Sequence, residues 1–447
     1  MENLLRNSLK KLAKETIDIV DQLKNEDKIT QENWMYEIPI CNQFEFDKDG
    51  HIICSFSFDY EERFEWQRHQ MVTIWANAHE LPSFPKIVEE IVTAYNKSTE
   101  SVSPLLRTFV ERIAWESLHG LSDEETEKKI NLLIEDLKGS EVKFNPVVGF
   151  RGIWINDDSY ELSNNMKFRR PKFEDGHKPR KLDTSSFPTL IQHDLDTDCF
   201  MEFTKNFNHS NDVQNYVEKF AQVLRLFKVG SIKVTTLKFN PNSFQSLGGT
   251  QGTLDALHGR YRYELKKNEL AKLSTFISRI FPFLPRPYPE DTEFPSDLKV
   301  ALDRYNDALL KPFQDEQILS YGIMALEALF LRSEEKSELR FKLSIRTSKI
   351  LSYLDYDALE ISKKVKKAYG IRSQFVHGEY MKSDKQDEIN DLTYKIMNYV
   401  SQSIVLMLQL RGKIKKDELL KKLDNSLLSD EVSNDLKLII KNNCIAL

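Results

Sequence analysis

Five prolines fall within the fifteen residues Phe281–Pro295 (FPFLPRPYPEDTEFP). No helix or central strand continues through that spacing, because each proline lacks an N–H and crowds the residue before it. The stretch reads as a linker over 282–295, and the chain changes character across it. After it, apolar residues recur at the helical period over Leu298–Leu310, Asp315–Leu331, Ser337–Leu354, Asp357–His377 and Asp384–Leu410. Two shorter helices are expected at Lys415–Leu423 and Asp430–Asn442. Long helices with short connections predict an all-α, up-and-down bundle over 296–447.

Before the prolines the periods are mixed, so residues 1–281 are expected to be an α+β region, with a break between subdomains near residue 140. Leu5, Leu9, Leu12, Ile17, Val20 and Leu23 mark an opening helix. The alternation in QFEFDKDGHIICSFSF, interrupted by Asp49-Gly50, is that of a β-hairpin with a tight turn. Helical period returns over 66–96, broken at Pro82–Pro85, and two more helices are expected at Pro104–Leu118 and Ser122–Leu137. Ser122 with Glu125 forms a capping-box signature at the start of the second. VVGFRGIWI, DCFMEF and SIKVTTLKF are strand candidates, and Asn211–Lys228 and Glu264–Ile280 are helix candidates.

With 447 residues, 40% hydrophobic and 30% charged, the chain has ample material for a buried core. Its net charge of −6 gives no strong global attraction to nucleic acid or to a membrane, so any RNA contact has to come from a local patch. Cys41, Cys54, Cys199 and Cys444 are scattered, without zinc spacing, which points to a reduced, cytoplasmic protein with no structural metal and no cofactor. The amphipathic N-terminus lacks the apolar stretch of a signal peptide, and Ile404–Leu408 is too short to span a bilayer.

Two segments invite a phosphate-binding reading. Lys167–Lys181 (KFRRPKFEDGHKPRK) interleaves cations with Phe168 and Phe173, as single-strand binders do, although its Pro, Gly and acidic residues equally suit a solvated loop. Ser246–Leu254 is glycine-rich but lacks the Gly-Lys-Ser/Thr ending of a phosphate loop, so a plain loop is the better reading.

The strongest chemical signal is AYGIRSQFVHGEY, Ala368–Tyr380. Arg372 keeps its charge at any working pH and matches phosphate oxygens bidentately, while the imidazole of His377 belongs to the side-chain type that titrates near neutrality. Gly378 is expected to stop the helix there. Five positions along an α-helix turn about 140° and climb roughly 7.5 Å, so Arg372 and His377 are neighbours without sharing one stripe. A two-fold dimer could bring both pairs into one cleft. Lys363, Lys364, Lys366 and Lys367 precede the pair on the flanks of the buried stripe Ile361, Val365, Ala368 and Tyr369. They read equally as a solvated face or as a surface that steers RNA.

The bundle, the run YGIMALEALFL (Tyr321–Leu331), the basic helix and the ending RSQFVHG together resemble the HEPN superfamily, and within it the ApeA-like HEPN proteins of prokaryotic anti-phage defence. The similarity covers the last third of the chain. It implies a metal-independent endoribonuclease acting as a homodimer on RNA, tRNA among the candidates, in abortive infection and under an unidentified phage-derived trigger. Arg372 would bind the scissile phosphate, His377 would act as general base or acid, and Ser373 would position a neighbour. Glu327, an acid inside an apolar run, is expected either to hold Arg372 or another cation, or to face solvent. The alternative function is a catalytically inactive HEPN-like dimerisation or nucleotide-binding regulator.

Overall fold

A computed structural model of the chain describes residues 2–40, 45–46, 52–53, 57–71, 74, 78–139, 141–172, 175, 180–181, 197–244, 250–252, 260–288, 291–311, 314–378 and 386–445. The first unit begins with α1 (Glu2–Asn25), followed by β1 (Gln31–Ile40), β2 (Glu45–Phe46), β3 (Ile52–Ile53) and β4 (Ser57–Trp66). β1 and β4 pair antiparallel over their full length, from Gln31 opposite Trp66 to Ile40 opposite Ser57, and β2 pairs with β3 inside that ribbon. The expected hairpin is therefore present, while its Asp49-Gly50 turn lies outside the described residues. Helices α2 (Phe84–Tyr95), α3 (Thr99–Ser117) and α4 (Asp123–Lys138) complete the unit. The Ser122 side chain accepts from the Glu125 N–H, and the Glu125 carboxylate accepts from the Ser122 N–H, which fixes the start of α4 as expected.

The second unit opens with β5 (Val142–Phe144), β6 (Val147–Arg151), β7 (Ile153–Trp154), β8 (Ser159–Ser163) and β9 (Met166–Arg169), then β10 (Arg180–Lys181), β11 (Cys199–Phe203) and β12 (Lys205–Phe207). Helix α5 (Ser210–Phe227), β13 (Lys233–Lys238), β14 (Pro241–Asn242), β15 (Thr250–Gly252), β16 (Tyr263–Glu264) and α6 (Leu270–Ile280) follow. Six strands form an antiparallel sheet in the order β15-β13-β6-β11-β9-β8, while β10 returns to the first unit and pairs with β1. Phe168 of the sheet meets Phe220 of α5, their ring centroids 6.2 Å apart. Only Thr250–Gly252 of the glycine-rich stretch is described, as an edge strand.

The bundle comprises α7 (Ser296–Leu310), α8 (Asp315–Phe330), α9 (Leu339–Ser352), α10 (Ala358–Val376), α11 (Gln386–Leu410), α12 (Lys416–Asn425) and α13 (Asp430–Asn443). Helix α8 is its hub. Ile318, Leu319, Ile323, Leu326, Leu329 and Phe330 are all buried, and the helix packs against α7, α9, α10 and α11. Gly322 eases the close α8–α11 crossing, since a Cβ there would stand 3.0 Å from Ile396 Cγ2.

The buried residues divide at 138–141 rather than at the prolines. One core runs from Leu5 to Leu137 and takes in Phe244; the other runs without interruption from Val142 to Ile440. Leu284 and Phe294, inside the proline-rich stretch, belong to this second core. Hydrogen bonds cross it too: Tyr305 Oη of α7 donates to the Arg225 carbonyl at 2.7 Å, and Ser401 Oγ of α11 donates to the Leu226 carbonyl at 2.8 Å. The prolines thus break the backbone pattern without breaking the packing, and the expected linker is a seam within one unit. Among the described residues, no helix is long and apolar enough to cross a membrane.

The bundle's most enclosed ion cluster joins α9 to α12. Arg346, almost fully buried, donates to both oxygens of Glu335, to both oxygens of Asp424, and to the Phe330 carbonyl at the end of α8. Its hydrogen bonds hold the Glu335 carboxyl down to about 2 from the ordinary 4.5, against the opposing effect of burial. A depressed carboxyl stabilises the fold fully above its unfolded value, and that contribution disappears as pH falls from about 4.5 towards about 2. Thermal melts of wild type and Glu335→Gln are therefore expected to differ at pH 6 and to converge near pH 2. A gap that persists at pH 2 would show that the charge of Glu335 is not what stabilises.

Candidate active site

The candidate site lies where α8 and α10 pack side by side. Helix α10 starts at Asp357, whose Oδ1 accepts the N–H groups of Leu359 and Glu360. It buries Ile361, Val365 and Ala368 of the expected stripe and adds Ile371, while Tyr369, also expected there, is only half-buried. It ends at Val376. His377 caps it, with its N–H directed to the Ser373 and Gln374 carbonyls, and Gly378 leaves the helix at φ +84°, a conformation that favours glycine.

Register then decides what each side chain meets. Arg372 follows Ile371 and turns towards α8, where Nη1 donates to Glu327 Oε1 at 2.8 Å. The side chains are 24% and 20% exposed, so the pair is largely enclosed and reaches the surface with part of each group. Tyr369, one turn earlier, lies under the guanidinium, 5.8 Å from its ring centroid. Arg372 Nε is enclosed without a hydrogen-bond partner among the described residues. Burial raises the Glu327 carboxyl, and the adjacent Arg372 charge opposes that rise without cancelling it.

The other candidates are arranged differently. Ser373 and His377 are exposed, and among the described residues no hydrogen bond or ion pair joins the His377 imidazole to Arg372 or Glu327. One chain brings Arg372 and Glu327 together and leaves His377 at the helix end. The four lysines split by face. Lys364 approaches Asp391 at 3.4 Å and Lys367 binds Glu388, both acids on α11. Lys366 lies over the Phe341 ring at 5.6 Å, and Lys363 is exposed with no ion-pair partner among the described residues.

Among its described residues, the basic stretch at Lys167–Lys181 does not form an aromatic platform. Phe168 is in the core, Arg169 is tied to Glu202 and Asp175, and Lys167 reaches Glu202 at 3.0 Å. Strand alternation put Phe168 inward, which a reading by composition overlooks; Phe173 lies outside the described residues. Among the described residues, no three His, Cys, Asp or Glu side chains are grouped as metal ligands. Sequence reasoning missed Tyr369 as a support for Arg372, although its position one turn before the arginine is the signal that could have found it.

No family model matches the chain, and no curated protein or solved structure does so either.

Proposed function

We propose that the chain is a metal-independent endoribonuclease of HEPN type, working as a homodimer through its bundle in the cytoplasm, in abortive-infection defence against phage. The observation that supports this reading most directly is the state of Arg372. One corner of its fork is anchored by Glu327 while 24% of the side chain stays exposed, so the group is oriented and still open to an incoming phosphate. His377 stands exposed five positions further on, without a partner among the described residues to compete for its imidazole.

In the reaction, the imidazole of His377 takes the proton of a ribose 2′-hydroxyl as its oxygen attacks the adjacent phosphorus. Arg372 stabilises the charge that builds on the non-bridging oxygens, and the 5′ oxygen departs with a proton delivered by a protonated imidazole. The products are a 2′,3′-cyclic phosphate and a 5′-hydroxyl. Because one helix keeps Arg372 inward and His377 at its end, two copies related by a two-fold axis supply the complete set. Lys363 and Lys366 steer the RNA, whereas Lys364 and Lys367 serve mainly the α10–α11 contact.

Purified protein incubated with total RNA and with tRNA in EDTA tests the reading. Fragments ending in cyclic phosphate are expected; loss of cutting in EDTA, or cleavage of a substrate with a 2′-deoxy scissile position, overturns it. The second reading, an inactive dimerising or nucleotide-binding regulator, draws on the same Arg372–Glu327 pair, which is also what a purely structural contact needs. A dimer that leaves every RNA intact would favour it.

A further inference from the structure

The β1–β4 ribbon combines three properties that soluble proteins seldom leave together: an open edge, exposed aromatic residues and a one-sided charge. Strand β4 pairs with β1 alone among the described residues, so its outer edge has no ladder partner among them, and the Tyr60 N–H is taken by Asp59 Oδ1. The register puts Met35 opposite Glu62, with Tyr60 and Phe64 flanking Glu62 on the same face. These apolar side chains are 40%, 60% and 66% exposed for Met35, Tyr60 and Phe64. The opposite face of β4 carries Asp59, Glu61 and Glu65 with one cation, Arg63, which is already bound to Glu61 at 2.9 Å.

We infer that the edge of β4 is a docking site for an extended basic segment of a partner protein, added as a further strand. An added strand presents alternate side chains to the two faces. On one face they would meet Tyr60 and Phe64, and on the other Asp59, Glu61 and Glu65. The matching sequence therefore alternates apolar and basic residues, with arginine or lysine also able to lie over the exposed rings. A second copy of this chain is a poor occupant, because β4 against β4 sets acid on acid. RNA is repelled for the same reason. The acidic edge thus blocks self-pairing and selects a basic strand.

This site stands apart from the ribonuclease reading, because peptide binding is measured without any cleavage. The test uses the full chain and three fluorescein-labelled ten-residue probes: a Lys-Val repeat, a Glu-Val repeat, and the Lys-Val repeat N-methylated at alternate amides. Saturable anisotropy is expected with the first probe alone, weakening at raised ionic strength. Glu65→Lys and Phe64→Ser should each reduce that affinity about tenfold, equivalent to about 1.4 kcal/mol, while Glu89→Lys, an exposed acid on α2, changes net charge equally and should leave it intact. Equal binding of the Glu-Val probe, an undiminished N-methylated probe, or equal weakening by Glu89→Lys overturns the proposal. So does competition by single-stranded RNA, or self-association of the chain that Phe64→Ser abolishes.

Discussion

A His377→Ala protein is expected to fold and associate as wild type does, yet to cleave RNA about a hundred- to ten-thousand-fold more slowly, the range that positioned acid–base catalysis supplies. Folding is spared because the side chain is exposed at the end of α10, and the cap is made by its backbone N–H, which alanine keeps. Arg372→Lys should be almost as damaging. Lysine preserves the charge but has neither the fork that answers Glu327 at 2.8 Å nor a second donor set for phosphate. Ser373→Ala should be milder, since the hydroxyl is exposed. Single-turnover cleavage of one labelled RNA measures all three, and a His377→Ala rate equal to wild type would remove His377 from the chemistry.

The largest effect on stability is expected at Arg346. Replacing it with alanine takes the bidentate partner from Glu335, whose side chain is only 8% exposed and keeps just the Arg332 N–H and the more distant Lys342 and Arg332 cations, and releases the Phe330 carbonyl at the end of α8. Breaking a buried charge pair from one side costs about 3–5 kcal/mol, which lowers the melting temperature by on the order of 10 °C. Asp424, at 40% exposed, can recover water and softens the loss. Thermal and urea unfolding of Arg346→Ala and Arg346→Lys would measure this. A change below about 1 kcal/mol would place the cluster with ordinary surface pairs.

The sequence made local features legible where the chemistry is local. Gly378 ends α10 at a positive φ, Ser122 with Glu125 starts α4, and apolar period located each helix of the bundle to within a few residues. What it carried poorly were pairings across long separations. An acid inside an apolar run calls for a cation, so Glu327 holding Arg372 is one of the readings the sequence offers, whereas the acids that engage Lys364 and Lys367 lie on α11 and leave no such signal. The prolines misled for a related reason: they report on backbone conformation at their own positions, whereas membership of a core depends on residues such as Tyr305 meeting Arg225 eighty positions away.

That continuous core limits how the protein could be switched on. Cutting the chain at residue 296 to liberate the bundle would part Tyr305 from Arg225, pull α11 from α5 and α6, and expose an apolar wall to water. Activation by shedding or swinging away everything ahead of the prolines is therefore closed to this architecture. The two cores part between Leu137 and Val142, and the contacts that join them include the Phe244 N–H on Asp136 and Arg112 on the Ser243 carbonyl. Under the proposed function, a change in the first unit reaches the bundle through these contacts and through the β1–β10 pairing.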